Sequence, residues 1–293
     1  MLEELRDAAR QVHERVGPSV VGLGRGWGRG CGVVIADGKV LTNAHNLRGE
    51  EVTLTFSDGS TTLGRVAGVD AERDLAVIDA DTGAAPAVQW EAGVADTQAG
   101  APVFAVANPG GRGLRVTFGL ISAAGRGFRG PRGPRIGGSV EHSAPLVRGS
   151  SGSPLVDSEG RLVGINTIRR GEGFCLAIVA DESLQREVES LSRGEQPTRP
   201  RLGVAIVPPR VARRLRGAVG LPERDGVLVR GVEPGSPAAS AGIEQGDLIA
   251  EVDGRELTRI DDLYSALDAL EQGSKLTLVV VRGSEERTIE VTL

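Results

Sequence analysis

The sequence predicts a mainly β protein: two small β-barrels in succession, followed by a small α+β unit. Three observations carry this. Between Ser19 and Val179 the chain is a series of short apolar runs separated by turn residues. Ser192–Pro200 then reads SRGEQPTRP, a polar break of linker composition. From Arg201 to Leu293 strand-like runs alternate with two short helical patterns. A length of 293 residues suits about two domains.

The elements follow in order. Leu2, Leu5, Ala8, Ala9, Val12 and Val16 fall at helical spacing, so the chain opens with an amphipathic helix that Gly17-Pro18 stops. The runs SVVGL, CGVVIA, KVLT, EVTLTF, LAVID, VFAVA, RVTFGLIS, PLV, RLVGINT and FCLAIV then read as strands, with hairpin turns at Asp37-Gly38, Asp58-Gly59 and Glu159-Gly160. Leu184, Val188 and Leu191 share one face of a closing helix from Glu182 to Leu191. After the linker, strands are predicted at LGVAIV, GVLVRGV, DLIAEVDG, KLTLVVVRG and RTIEVTL. Ser236-Pro237 starts a short helix that Gly242 ends, and a longer helix spans Ile260 to Leu270. The predicted division is residues 1–18, 19–191, 192–200 and 201–293.

Composition narrows the classes. Hydrophobic residues at 40% and charged residues at 25% are ordinary for a globular chain, and a net charge of −5 gives no global reason to bind nucleic acid or an anionic membrane. Aromatics are only 3%, so Val, Leu, Ile and Ala must build the core. The N-terminal MLEELRDAARQVHERV has no apolar run of signal-peptide type, and no window reaches the roughly 18 apolar residues of a membrane span. The expectation is a cytosolic chain. Cys31 and Cys175 are expected as free buried thiols rather than a disulfide. Three scattered histidines and two lone cysteines make no metal constellation, so neither metal nor cofactor is expected.

The stretch RGSSGSPLVDSEGRLVGINT, Arg148–Thr167, crowds Gly149, Ser150, Ser151, Gly152 and Ser153 ahead of an apolar strand. A serine displayed on a tight turn becomes a nucleophile if the chain supplies an imidazole base and a carboxylate to orient it. Of the three histidines, His13 lies in the N-terminal helix and His142 in a Gly/Pro-rich region near the serines. His45 directly follows the apolar strand of VLTNAHN and is the candidate base, the alternative being a structural histidine. Asp74 in ERDLAVID abuts an apolar strand and outranks its neighbours Asp70 and Glu72 as the carboxylate. The order His45, Asp74, Ser151 is that of chymotrypsin, and the lipase elbow GxSxG is not met because Ser153 stands at its last position.

These residues carry a resemblance. VLTNAHN, DLAVID, VANPGG before VTFGLIS, and RGSSGSPLVDSEGRLVGINT resemble, in order and spacing, the HtrA (Deg) family of trypsin-like serine proteases. The resemblance implies His45 as base, Asp74 as its orienting acid and Ser151 as nucleophile. It implies an oxyanion hole from the backbone N–H groups of Gly149 and Ser151, with Ser150 as a further donor. Ser150 stands on the family's asparagine, Ser153 on its last glycine, and EHSAPLV where a Q-T-D-A-like run is usual, so His142 would border the specificity pocket. No acidic base of that pocket is readable, and aliphatic residues before the scissile bond are expected.

Gly226–Leu257 resembles the central segment of PDZ domains in bacterial proteases. Arg201, Leu202, Gly203 and Val204 then correspond to the carboxylate-binding loop, Leu202–Ile206 to the receiving edge, and Leu263, Leu267 and Leu270 to the groove helix, a core role being the alternative for Leu267 and Leu270. GRGFRGPRGPR, ending at Arg135, is expected as a mobile loop rather than an RNA contact. The resemblance implies an endopeptidase acting on unfolded or misfolded proteins, with PDZ capture of peptide C-termini and a homotrimeric assembly, though no aromatic precedes Trp27. The alternative from another class is a peptide-binding or chaperone protein with little or no proteolysis.

Overall fold

Alternation of apolar residues along short strands dictates sheets that bury one face, and where both faces are covered the runs become continuously apolar. That is the pattern of the first unit, Met1–Pro197. The computed structural model describes residues 2–24, 30–91, 93, 97–129, 135–169, 173–195, 201–268, 270 and 273–293. Trp27, linker residues 196–200 and residues 130–134 of the arginine segment lie outside them.

Helix α1 (Leu2–Val16) leads into β1 (Val20–Leu23), β2 (Gly30–Ala36), β3 (Lys39–Thr42), β4 (Glu51–Thr55), β5 (Thr61–Asp70) and β6 (Leu75–Asp79). These strands close a barrel in the order β1-β2-β3-β6-β5-β4. A second barrel follows from β7 (Pro102–Ala107), β8 (Arg115–Arg129), β9 (Arg135–His142), β10 (Pro154–Val156), β11 (Leu162–Arg169) and β12 (Cys175–Val179), ordered β10-β11-β12-β9-β8-β7. Helix α2 (Glu182–Ser192) closes the unit, capped by Asp181, which accepts from the Leu184 N–H.

Successive residues divide between cores. Val33 and Leu41 enter a cluster shared by strands of both barrels and by Val12 and Val16 of α1 and Leu184, Val188 and Leu191 of α2. Their neighbours Val34 and Val40 belong to a cluster of the first barrel, and Val103, Ile121, Leu155 and Val163 form one in the second. The seam between the barrels is thus apolar and continuous, which fixes the loops that meet along it.

The second unit, Thr198–Leu293, contains β13 (Val204–Val207), α3 (Pro209–Ala218), β14 (Val227–Val232), α4 (Pro237–Ser240), β15 (Leu248–Val252), β16 (Arg255–Glu256), α5 (Ile260–Asp268), β17 (Lys275–Arg282) and β18 (Glu285–Thr292). The sheet order is β13-β14-β15-β17-β18, with β16 on β15, which leaves β13 at an edge. Ser236 caps α4 by accepting from the Ala239 N–H.

The sequence reading missed four elements, one of them the two-residue β16. β5 carries Gly64 and Gly68, which weaken a strand pattern, yet each marks a close approach: a Cβ at Gly68 would lie 2.4 Å from the Leu191 carbonyl oxygen. β9 was hidden by Gly137-Gly138. The arginine segment expected as a loop is strand at both described ends, since Phe128 pairs with Ile136 and Arg129 with Arg135. Helix α3 was masked by its arginines. It buries Pro209, Ala212 and Arg216 on one side, and the Arg216 Nη2–H donates to the Gly283 carbonyl at 3.1 Å. α5 ends at Asp268, two residues short of the expected Leu270. Cys31 and Cys175 are buried and free, as expected, and burial pushes the Cys31 thiol up to about 12.

Candidate active site

The first barrel brings His45 and Asp74 together from neighbouring strands. β3 ends at Thr42, and a single 3₁₀ turn, Ala44–Asn46, presents His45. Across the ladder Thr42 pairs with Ala76, which places the turn before β6 beside that histidine. In that turn Asp74 takes a left-handed backbone with φ of 60°, a conformation a short polar side chain tolerates. Its carbonyl accepts from the Ala44 N–H at 3.1 Å and from Asn43 Nδ2 at 2.9 Å. The rival Asp70 instead accepts the N–H groups of Glu72 and Arg73, stabilising the turn itself.

The Asp74 carboxylate is nearly buried and fully engaged. Oδ1 accepts the His45 backbone N–H at 2.9 Å. Oδ2 accepts from His45 Nδ1 at 2.7 Å and from the Thr167 hydroxyl at 2.9 Å. A carboxylate can only accept, so Nδ1 carries the ring proton and the lone pair is left on Nε2. Arg73 secures the turn from the other side, its Nη1 2.5 Å from Glu187 of α2.

The second barrel supplies the serine. The loop before β10 docks onto the first barrel: the Ser151 carbonyl accepts from the Cys31 N–H at 2.7 Å and from Asn46 Nδ2 at 2.9 Å. Gly152 has φ of 86°, and a Cβ there would lie 2.1 Å from the Cys31 carbonyl oxygen, so this position requires glycine. The Ser151 hydroxyl donates to the Thr167 carbonyl at 2.8 Å. Thr167 therefore binds the acid through its side chain and the serine through its backbone. Among the described residues no hydrogen bond joins Ser151 Oγ to His45.

Among the described residues the N–H groups of Gly149, whose φ is 87°, and Ser151 are uncommitted. Ser150 is a correction to the expected oxyanion hole, because its N–H donates to the Val147 carbonyl at 3.3 Å and is not offered to a ligand. Ser153 is accommodated: it is fully buried, and Asn166 Nδ2 lies 3.1 Å from its carbonyl and 3.0 Å from its hydroxyl.

His142 has a structural place rather than a pocket-lining one. It is fully buried in β9, and Nε2 donates to Asn166 Oδ1 at 2.9 Å, the amide being oriented by its bonds to Ser153. Nδ1 has no partner. Burial pushes the imidazole down to about 4, against the opposing effects of the Asn166 bond and the Glu141 charge. The unfolded chain, with an ordinary value near 6.5, binds a proton that the native state refuses between these limits. Stability from this group is present above about pH 6.5 and lost as pH falls towards 4. Chemical unfolding at pH 7 and pH 5 should show a drop about 2 kcal/mol larger in the wild type than in His142→Thr.

Thr167, Asn43 and Asn46 are site residues that sequence reasoning did not single out. The asparagines flank His45 in TNAHN, which was the available signal. For Thr167 the sequence offered only its place at the end of GINT.

In the second unit Gly203 has φ of 76°, and a Cβ there would lie 2.2 Å from Ser236 Cβ. The carbonyls of Leu202 and Gly203 are used by the Ala238 and Glu233 N–H groups, while among the described residues the Leu202 and Gly203 N–H groups have no acceptor. Arg201 is exposed and Val204 half-buried. Leu263 at 1% exposure, Leu267 at 9% and Leu202 at 2% belong to the core of this unit. The two helix leucines expected in a groove are therefore packing residues, because that face of α5 lies against the sheet. Val204, Ile206 and Val207 of β13 and Ile260 of α5 are half-buried apolar residues.

Among the described residues no helix is long and apolar enough to cross a membrane, and no group of three or more His, Cys, Asp or Glu could hold a metal ion.

Comparison with known proteins gives the same two parts. The profile of the trypsin-like peptidase domain matches residues 30–165, and that of the PDZ domain residues 200–293. The Synechocystis sp. proteins HhoB and HhoA, both named as serine proteases, are 35% and 33% identical over 90% of this chain. Protease Do-like 1, chloroplastic, of Arabidopsis thaliana is 32% identical over 91% of it. The chain spans 66% of the length of HhoB, 70% of HhoA and 63% of the Arabidopsis protein. The solved structure of the HtrA-type protease AlgW with a decapeptide is similar at a TM-score of 0.81 and 26% identity, covering 97% of both chains. A chloroplastic relative gives the cytosolic expectation no support.

Proposed function

The chain belongs to the HtrA family of trypsin-like serine proteases with a C-terminal PDZ domain, and from that premise we propose that it is a serine endopeptidase in which Ser151 attacks, His45 carries the proton and Asp74 holds His45. The observation that carries the reading is the 2.7 Å contact from His45 Nδ1 to Asp74 Oδ2, with Thr167 bonded to both Asp74 and Ser151. Once the serine hydroxyl turns to His45 Nε2, attack on a peptide carbonyl moves its proton to the imidazole. The imidazolium forms against the Asp74 carboxylate and returns the proton to the leaving amine. The N–H groups of Gly149 and Ser151 receive the oxyanion.

The substrates of this reading are unfolded or misfolded proteins, whose extended backbone can enter the site. The PDZ unit captures a peptide as an added strand on the β13 edge, its terminal carboxylate on the Leu202 and Gly203 N–H groups. Residues 19–191 act as the catalytic part and 201–293 as the recruiting part, and the assembly is a homotrimer. The full chain should digest denatured casein, and should bind a peptide with a free C-terminal carboxylate in preference to its amide. Peptide capture without digestion would favour the chaperone alternative.

A further inference from the structure

β11 changes partner at the candidate site. Its early residues pair with β10 as far as Pro154 with Ile165, and its later ones only with β12, through Ile168 with Leu176 and Arg169 with Cys175. Asn166 is still bonded to Gly152 and Ser153 on the β10 side. Among the described residues, no strand covers that side of Thr167–Arg169. A free strand edge beside a nucleophile is a place where a peptide adds as a strand.

The geometry indicates which substrate residue meets which side chain. The ladders between this chain's named strands are antiparallel, including both formed by β11. In an antiparallel addition the residue whose carbonyl is cut lies opposite Thr167, whose own carbonyl holds the Ser151 hydroxyl. Advancing two residues along β11 to Arg169 moves two residues back along the substrate. Directly opposed residues share a face, with Cβ atoms about 5 Å apart.

Arg169 is exposed, and among the described residues it has no carboxylate partner. Its Nη1–H reaches the Leu146 carbonyl at 3.4 Å, so the guanidinium extends from the strand edge towards the segment that leads into Ser151. Arg48, three residues after His45, and Arg148, three before Ser151, are also exposed and unpaired with any described carboxylate. A chain of net charge −5 thus keeps uncompensated cations on the residues around its candidate nucleophile.

We propose that Arg169 selects an acidic substrate side chain at the third residue N-terminal to the scissile bond, counting the residue whose carbonyl is attacked as the first. This rests on the protease reading above. The role is one of specificity: an exposed guanidinium paired with a carboxylate is screened by salt and gives modest discrimination, about 5-fold at low ionic strength.

The test uses the full-length chain and two fluorogenic peptides identical except for Asp or Asn at that third position. The ratio of their kcat/KM values, taken within each protein, is about 5 for the wild type in low salt and falls towards 1 in 0.5 M salt, on the order expected from screening. Arg169→Lys keeps the ratio above 1, Arg169→Gln brings it to 1, and Arg169→Glu inverts it. Because each protein is its own reference, a general loss of folding or activity does not mimic the result. Equal cleavage of both peptides by the wild type, or an unchanged ratio in Arg169→Glu, overturns the subsite while leaving the protease reading intact. Failure to cleave either peptide overturns both.

Discussion

Ser151→Ala is expected to lower kcat for peptide hydrolysis by about 10⁶, the scale of loss when a triad nucleophile is removed. The expectation follows from the loop as well as from the triad. Ser151 contributes its carbonyl to the Cys31 and Asn46 donors, and alanine keeps that carbonyl. What disappears is one hydroxyl, bonded among the described residues to the Thr167 carbonyl, a loss of about 1 kcal/mol in stability. The variant should therefore remain folded and still bind a C-terminal peptide through its second unit. An active Ser151→Ala protein would require another nucleophile, and the buried Cys31, its thiol pushed up to about 12, is a poor one.

Asp74→Asn should cost about 10⁴ in kcat through the tautomer of His45. The side chain would keep one oxygen for the His45 backbone N–H, now met by Oδ1 at 2.9 Å. Its amide would then stand where Oδ2 accepts from Nδ1 and from Thr167. An NH₂ group at that place can only donate to Nδ1, which moves the ring proton to Nε2 and points it at the serine. The base is lost while the ring stays in position. The Thr167 hydroxyl adapts, because it can accept as readily as donate. The measurement is steady-state cleavage at matched pH, with far-UV circular dichroism to show an intact fold. A loss of only a few fold would mean that Asp74 is a turn residue and no more.

The sequence was legible where one rule acts at a time. Alternating Val and Leu runs marked most strands, a Gly-Pro pair ended α1, and Ser236-Pro237 announced α4. It was opaque where tertiary contact overrides local preference. Gly64 and Gly68 weaken a strand pattern until Ile78 and Leu191 are packed against them. Arg216 looks solvent-facing until its guanidinium reaches Gly283. The site followed the same division. His45, Asp74 and Ser151 are scarce chemistry in a recognisable order, whereas Thr167 is an ordinary strand residue that matters through two contacts only folding creates. Leu263 and Leu267 show the converse: helical spacing identified an apolar face, and spacing alone could not say whether a peptide or the protein's own sheet covers it.

Labelling with a fluorophosphonate is the most direct measurement of the proposed proton-transfer chain, because it needs a nucleophilic serine and no knowledge of the substrate. The account predicts one adduct per chain, located on Ser151 by mass spectrometry, absent in Ser151→Ala and strongly slowed in Asp74→Asn. An unlabelled wild-type chain, tested across neutral pH and with C-terminal peptides present, or an adduct on any other serine, would contradict it.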